Sequence, residues 1–202
     1  MSAPLRVLFA LPGFHRVARG AEAALENVAR QLARRDCAVT MVGGGDPRPG
    51  EPYQFIHADV SARERFEKWP RIPPLRNEYR WEELTFARPL RRAYRPEEYD
   101  ITVTCSYPFV NWVLRGRRVA GRPRHVFVTQ NGDWPAQRKN GEYRFFSCDG
   151  LVCTNPEYFE RQQHTWRCAL IPNGMDASRF GPGPAERAAF GVPAAGNVVL
   201  MV

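Results

Sequence analysis

The chain has 202 residues, 44% of them hydrophobic and 25% charged, a balance that excludes collagen-like and disordered chains. That length leaves room for one generous domain or two small ones. The formal net charge is +8, with every basic residue except Lys68 and Lys139 an arginine, so attraction to anionic lipid or phosphorylated ligands stands beside plain solvated charge.

Apolar runs alternate with helical stretches from the start. Leu5–Leu11 reads as a strand closed by Pro12-Gly13. Gly20–Arg34 repeats apolar residues at three- and four-residue spacing (Ala21, Ala24, Leu25, Val28, Ala29, Leu32), the pattern of a one-faced helix. Ala38–Val42 is the next strand, ended by the glycines at 43 to 45, and Tyr53–His57 is a third. Ser61–Arg95 is more polar, with prolines at 70, 73, 74 and 89. It predicts a short helix, an irregular crossing and a second helix that Pro89 kinks or restarts. Further strands are expected at Asp100–Cys105, His125–Gln130, Gly150–Thr154 and Cys168–Ile171. Helices are expected at Phe109–Leu114, near Tyr143–Phe146, and at Pro156–Gln163 behind the N-cap Asn155.

Strand–helix alternation of this kind calls for a parallel sheet covered on both faces, an α/β, Rossmann-like doubly wound domain ending near residue 172. The texture then changes to Gly, Pro and Ala through residue 196, a linker with a short helix around Pro184–Phe190. Asn197–Val202 is again strand-like, the expected beginning of a second domain. The expected division is therefore 1–172, 173–196 and 197–202.

Ligands of such sheets bind at the carboxyl ends of the strands, which directs attention to the loops Pro12–Gly20, Gly43–Asp46, Ser106–Pro108 and Asn131–Trp134. The first loop fits no G-x-G-x-x-G fingerprint, and no G-x-x-x-x-G-K-[ST] occurs, so a dinucleotide fold and a P-loop are both unsupported. There is no G-x-S-x-G elbow and no histidine spacing of a metal site. His15 is the histidine in a ligand-facing loop; His57, His125 and His164 read as structural or solvated. Gln130-Asn131-Gly132-Asp133-Trp134-Pro135 sets amides and a carboxylate beside an indole. Those are groups for sugar hydroxyls and a plate for a sugar ring, or else an Asx-turn with a buried Trp. Arg63–Arg95 holds nine arginines interleaved with Phe66, Trp69, Tyr79, Trp81, Phe86 and Tyr94. Interleaved glutamates dilute its field, and no nucleic-acid module is present, so anionic membrane is the better partner for it than nucleic acid. Five cysteines without a C-x-x-C pair fit reduced thiols and a cytoplasmic location, and the basic stretch adds the expectation of peripheral contact on the inner membrane face.

Ile171-Pro172-Asn173-Gly174-Met175-Asp176, followed by Arg179-Phe180, resembles the hinge of the retaining family 4 (group 1) glycosyltransferases of GT-B fold. The order of the first strand, the Pro/Gly loop and Gly20-Ala21-Glu22, with Tyr99-Asp100-Ile101 later, is similar too. The resemblance covers the chain as that family's N-terminal, acceptor-side half plus hinge. It implies transfer of a sugar from a nucleotide-diphosphate donor to a glycan, lipid or small-molecule acceptor. It further implies that side chains rather than a metal neutralise the leaving diphosphate, with no other cofactor.

Two departures stand out. The family's first loop commonly has Gly-Gly where this chain has Arg19-Gly20, and many members have a histidine where it has Gln130-Asn131. The resemblance thus assigns acceptor contacts to Gly13, His15, Arg19, Gly20, Asn131 and Asp133, hinge roles to Asn173, Gly174 and Asp176, and no single catalytic residue. The family's donor-side Gly-Arg turn, lysine and paired glutamates are not among the 202 residues, so this chain alone is expected to be inactive. The rival reading is a stand-alone module binding a carbohydrate or lipid head group.

Overall fold

A computed structural model describes residues 3–116, 121–174, 183, 187–196 and 198. Among the described residues, seven strands form one sheet: β1 Arg6–Ala10, β2 Ala38–Gly43, β3 Gln54–His57, β4 Ile101–Thr104, β5 Arg124–Val128, β6 Gly150–Cys153 and β7 Cys168–Leu170. All neighbouring pairs are parallel, in the order β3-β2-β1-β4-β5-β6-β7. Among the described residues, five α-helices accompany them: α1 Gly20–Ala33, α2 Glu78–Ala93, α3 Phe109–Arg115, α4 Trp134–Gln137 and α5 Pro156–Gln162.

Strand alternation builds the two core layers. Val7 and Phe9 of β1 join Leu25 and Ala29 of α1 on one face. Leu8 and Ala10 point the other way, onto Phe86 and Leu90 of α2 and Val110 and Leu114 of α3. A third cluster, around Phe127, Phe146 and Leu151, supports the β5–β7 side. Each fully buried side chain of this size is worth about 1.5–3 kcal/mol. With helices on both faces of a parallel sheet, the fold is the expected Rossmann-like, doubly wound α/β architecture.

Pro89 does not restart the helix: α2 runs unbroken from Glu78 to Ala93 with the proline inside it. Its flanking residues Phe86 and Leu90 are fully buried, and their packing on the sheet outweighs the one backbone hydrogen bond that proline removes. Asn77 caps α2 by accepting from the Arg80 N–H at 3.1 Å, and Asn155 caps α5 in the same way through Tyr158 at 2.9 Å. Helix α3 stops at Gly116, whose φ of 57° a side chain would strain.

The aromatic residues of the Arg63–Arg95 stretch divide between core and surface. Phe66, Phe86 and Tyr94 are buried, and Trp69 and Trp81 pack edge-on at 4.8 Å with Phe66 beneath them. At the end of the chain, the expected helix around Pro184–Phe190 is a 3-10 turn over Arg187–Phe190. Asp176, Arg179, Phe180 and, apart from Val198, the expected strand Asn197–Val202 lie outside the described residues. No helix among the described residues is long and apolar enough to cross a membrane.

Candidate functional site

Strand β1 lies between β2 and β4, so the chain moves outward in one direction and returns in the other. The crevice at the carboxyl ends of β1 and β4 is the switch point of the sheet. A cavity of about 550 Å³ opens there, walled by the loops after β1, β4 and β5 and by the first turn of α2. This is where an α/β sheet presents unpaired backbone and loop side chains to a ligand.

The residues expected there divide. Arg19, Gly20 and Asn131 line the cavity, together with Asn173 of the hinge-like segment. Gly20 has open space where a side chain would be, so a ligand can approach its backbone at the head of α1. Gly174 is exposed, outside the lining.

Gly13, His15 and Asp133 are held elsewhere. A Cβ on Gly13 would stand 2.1 Å from Glu22 Oε1, so that glycine lets the first loop close onto α1 rather than onto a ligand. His15 stacks on Phe55 with ring centroids 3.9 Å apart, and its nitrogens meet the Asp46 carbonyl at 2.8 Å and the Tyr53 hydroxyl at 2.9 Å. It locks the first loop to the β2–β3 side. Asp133 is buried and accepts from Arg161 at 3.1 Å twice and from Gln162 at 2.8 Å. It ties α4 to α5. The glycines at 43 to 45 likewise make room for Phe14, the Pro12 carbonyl, Val60 and the His15 backbone, so they serve packing.

Trp134 is 51% exposed and borders the cavity as a plate. Gly132 makes this possible. Its φ is 97°, and a Cβ there would stand 2.7 Å from the indole nitrogen. The Arg138 guanidinium lies 5.2 Å from the Trp134 ring centroid. Opposite, Tyr107 and Tyr143 stack at 5.7 Å.

The first two turns of α2 carry the charge. Glu82, almost fully buried, accepts from Arg19 Nη1 at 3.2 Å and from Arg63 Nε and Nη2 at 3.2 and 3.0 Å, with Arg16 at 3.9 Å. Glu83 is fully buried, 3.7 Å from Arg80. Burial pushes its carboxyl up to about 7, while the Arg80 charge pulls the other way. Burial also raises Glu22, which lines the cavity, and the Arg19 charge partly offsets it. The Tyr79 hydroxyl is hydrogen-bonded to Ser106 Oγ, and burial holds its phenol well above the usual range. Sequence reasoning missed Tyr79, Arg80, Tyr107 and Tyr143 as one group. The carboxyl-end rule marked only the Ser106–Pro108 loop, because where α2 docks depends on an irregular crossing.

Chemically, the cavity joins an aromatic plate, amides and hydroxyls to guanidinium groups, a lining suited to a polyhydroxylated ligand. Among the described residues, no group of three His, Cys, Asp or Glu side chains is placed to hold a metal ion.

Comparison with known proteins agrees on the fold and the family. No curated protein matches this chain. A glycosyltransferase from Rickettsia africae ESF-5, known from its crystal structure, is similar in fold with a TM-score of 0.54 at 11% identity. The match takes in 96% of this chain and 51% of that one, so this chain spans about half the length of its structural relative. The family model described as Glycosyltransferase Family 4 matches residues 18–179. Carrying that family's signature over most of its length on a sheet of the fitting topology, the chain belongs to glycosyltransferase family 4.

Proposed function

We propose that this chain is the acceptor-binding part of a retaining glycosyltransferase that uses a nucleotide-diphosphate sugar. The observation that carries this reading is the cavity at the switch point, where exposed Trp134 and Asn131 face Arg19 and Gly20. Trp134 would stack on an acceptor sugar ring, while the amide of Asn131 and the backbone at Gly20 bind its hydroxyls. Residues 1–172 form the acceptor domain in this reading, 173–196 the hinge and 197–202 the first strand of the donor domain. The donor would enter from that second domain. Closure of the two would expel water and stabilise an oxocarbenium-like transition state, with side chains and helix ends rather than a metal neutralising the leaving diphosphate. The 202-residue chain alone would then bind acceptor and not turn over. A cytoplasmic location, with peripheral contact to anionic membrane through the arginine-rich surface, goes with this reading.

The test is saturation-transfer NMR of the 202-residue chain against a panel of neutral methyl glycosides. Binding of at least one glycoside, weakened in Asn131→Ala and Trp134→Ala, is the expected result. A panel without binders, or binding indifferent to both variants, overturns the assignment of this cavity to acceptor.

A further inference from the structure

We propose that the cavity contains a phosphate subsite built on Arg80, so that the acceptor is a phosphate-bearing molecule. This deepens the acceptor reading of the same cavity and rests on it.

The three guanidinium groups of the lining are not equivalent. Arg19 and Arg63 both donate to Glu82 and are committed to it. Arg80 lies against the Tyr107 ring, 5.6 Å from its centroid, with Glu83 3.7 Å away. Its Nη1, the atom that faces Glu83 Oε2, is buried and makes no hydrogen bond among the described residues. Its ion pair with Glu83 is thus long and without a hydrogen bond, which leaves Arg80 less committed to a protein carboxylate than Arg19 and Arg63 are. The Tyr107 ring restricts the guanidinium on one side, so less of its freedom remains to be lost when a ligand arrives.

The surroundings favour a phosphate over a carboxylate. Asn77 uses Oδ1 on the helix cap, which leaves its amide N–H groups as donors on the same lining. Asn131, whose amide otherwise reaches only Cys105 Sγ at 3.9 Å, contributes a second amide, while the buried Ser106 hydroxyl stays with Tyr79. A tetrahedral phosphate offers terminal oxygens to donors on several sides, whereas a carboxylate offers two in one plane. Glu22 is the acidic exception on the lining and is suited to accept from a sugar hydroxyl.

The experiment is calorimetric titration of the 202-residue chain with methyl phosphate at constant ionic strength. Glu83→Gln keeps Arg80 and removes the neighbouring carboxylate. Arg80→Met with Glu83→Gln removes both charges together and leaves no buried carboxylate unpaired. Wild type and E83Q are expected to bind saturably, and the double variant at least about tenfold more weakly. Should the double variant fail to fold, Arg80→Lys keeps the charge without the planar fork and is expected to bind several-fold more weakly. Arg92→Ala, at an exposed position of α2 outside the cavity, is expected to bind as wild type does.

Absence of saturable binding overturns the proposal. So does equal binding by E83Q and the double variant, an equal loss in R92A, or stronger binding of acetate than of methyl phosphate. Vesicles of phosphatidylcholine with and without phosphatidic acid then identify the source. Arg80-dependent sedimentation with phosphatidic acid supports a lipid-borne phosphate. Arg80-dependent titration by methyl phosphate without sedimentation supports a soluble one. If phosphate fails while neutral glycosides still bind, only this subsite falls; if both fail, the acceptor reading falls with it.

Discussion

Gln130 and Asn173 exchange side-chain amides: Gln130 Nε2 donates to Asn173 Oδ1, and Asn173 Nδ2 donates back to Gln130 Oε1 at 3.1 Å. The pair fastens the segment after β7 to the carboxyl end of β5, at the edge of the cavity. Both residues are partly or fully exposed, so the tie contributes little to global stability. Gln130→Ala is expected to change unfolding free energy by no more than about 1 kcal/mol. Backbone amides of Ile171, Asn173 and Gly174 should nevertheless exchange faster with solvent while those of β5 do not, as hydrogen exchange read by mass spectrometry would reveal. Unaltered exchange at 171–174 would mean the tie does not restrain that segment.

Trp134 and Gly132 form a second unit. Trp134→Ala removes a half-exposed side chain, so its stability cost is expected within about 1 kcal/mol. Glycoside binding should weaken about tenfold, the order of one aromatic contact. Gly132→Ala should cost more stability, about 1–3 kcal/mol, because the residue sits at φ 97° and the new methyl meets the indole. Urea denaturation beside the NMR titration separates the two effects.

Asp133→Asn should behave in the opposite way. The carboxylate is buried under Arg161 and Gln162, and its loss leaves a guanidinium without its pair. A cost of about 2–3 kcal/mol is expected, at the low end for a buried pair because Arg161 reaches solvent. Glycoside affinity of the folded fraction should be unchanged. A weakened affinity at intact stability would put Asp133 back among the ligand contacts.

Glu83 gives a pH dependence whose sign is opposite to that of most carboxylates. Its folded pKa of about 7 lies above the ordinary 4.5, so the folded state holds the proton more tightly. That contribution is fully present below 4.5 and is lost as pH rises through 7, about 3 kcal/mol in all. His125 acts the other way. Burial lowers it to about 3 from 6.5, so stability is lost as pH falls through that window. Comparing wild type with Glu83→Gln cancels His125. E83Q should gain on wild type between pH 5 and pH 8 in urea denaturation, and a difference independent of pH would show that Glu83 does not titrate there.

The amino-acid sequence by itself determined the scaffold. Short apolar runs marked all seven strands, and the three- and four-residue spacing from Ala21 to Leu32 marked α1, because these patterns are local and burial enforces them. It also determined which ends of the strands to inspect, and so brought Arg19, Gly20 and Asn131 into view. What only the tertiary structure decided was the direction of the loop side chains. Asp133 is turned inward by Arg161 and Gln162 on α5, and His15 by Tyr53 and Phe55 beyond β2. Arg80 and Tyr107 meet only because α2 docks against the loop after β4. A side chain in a loop takes the partner that packing brings to it, and that partner lies far along the chain, where no local pattern reaches.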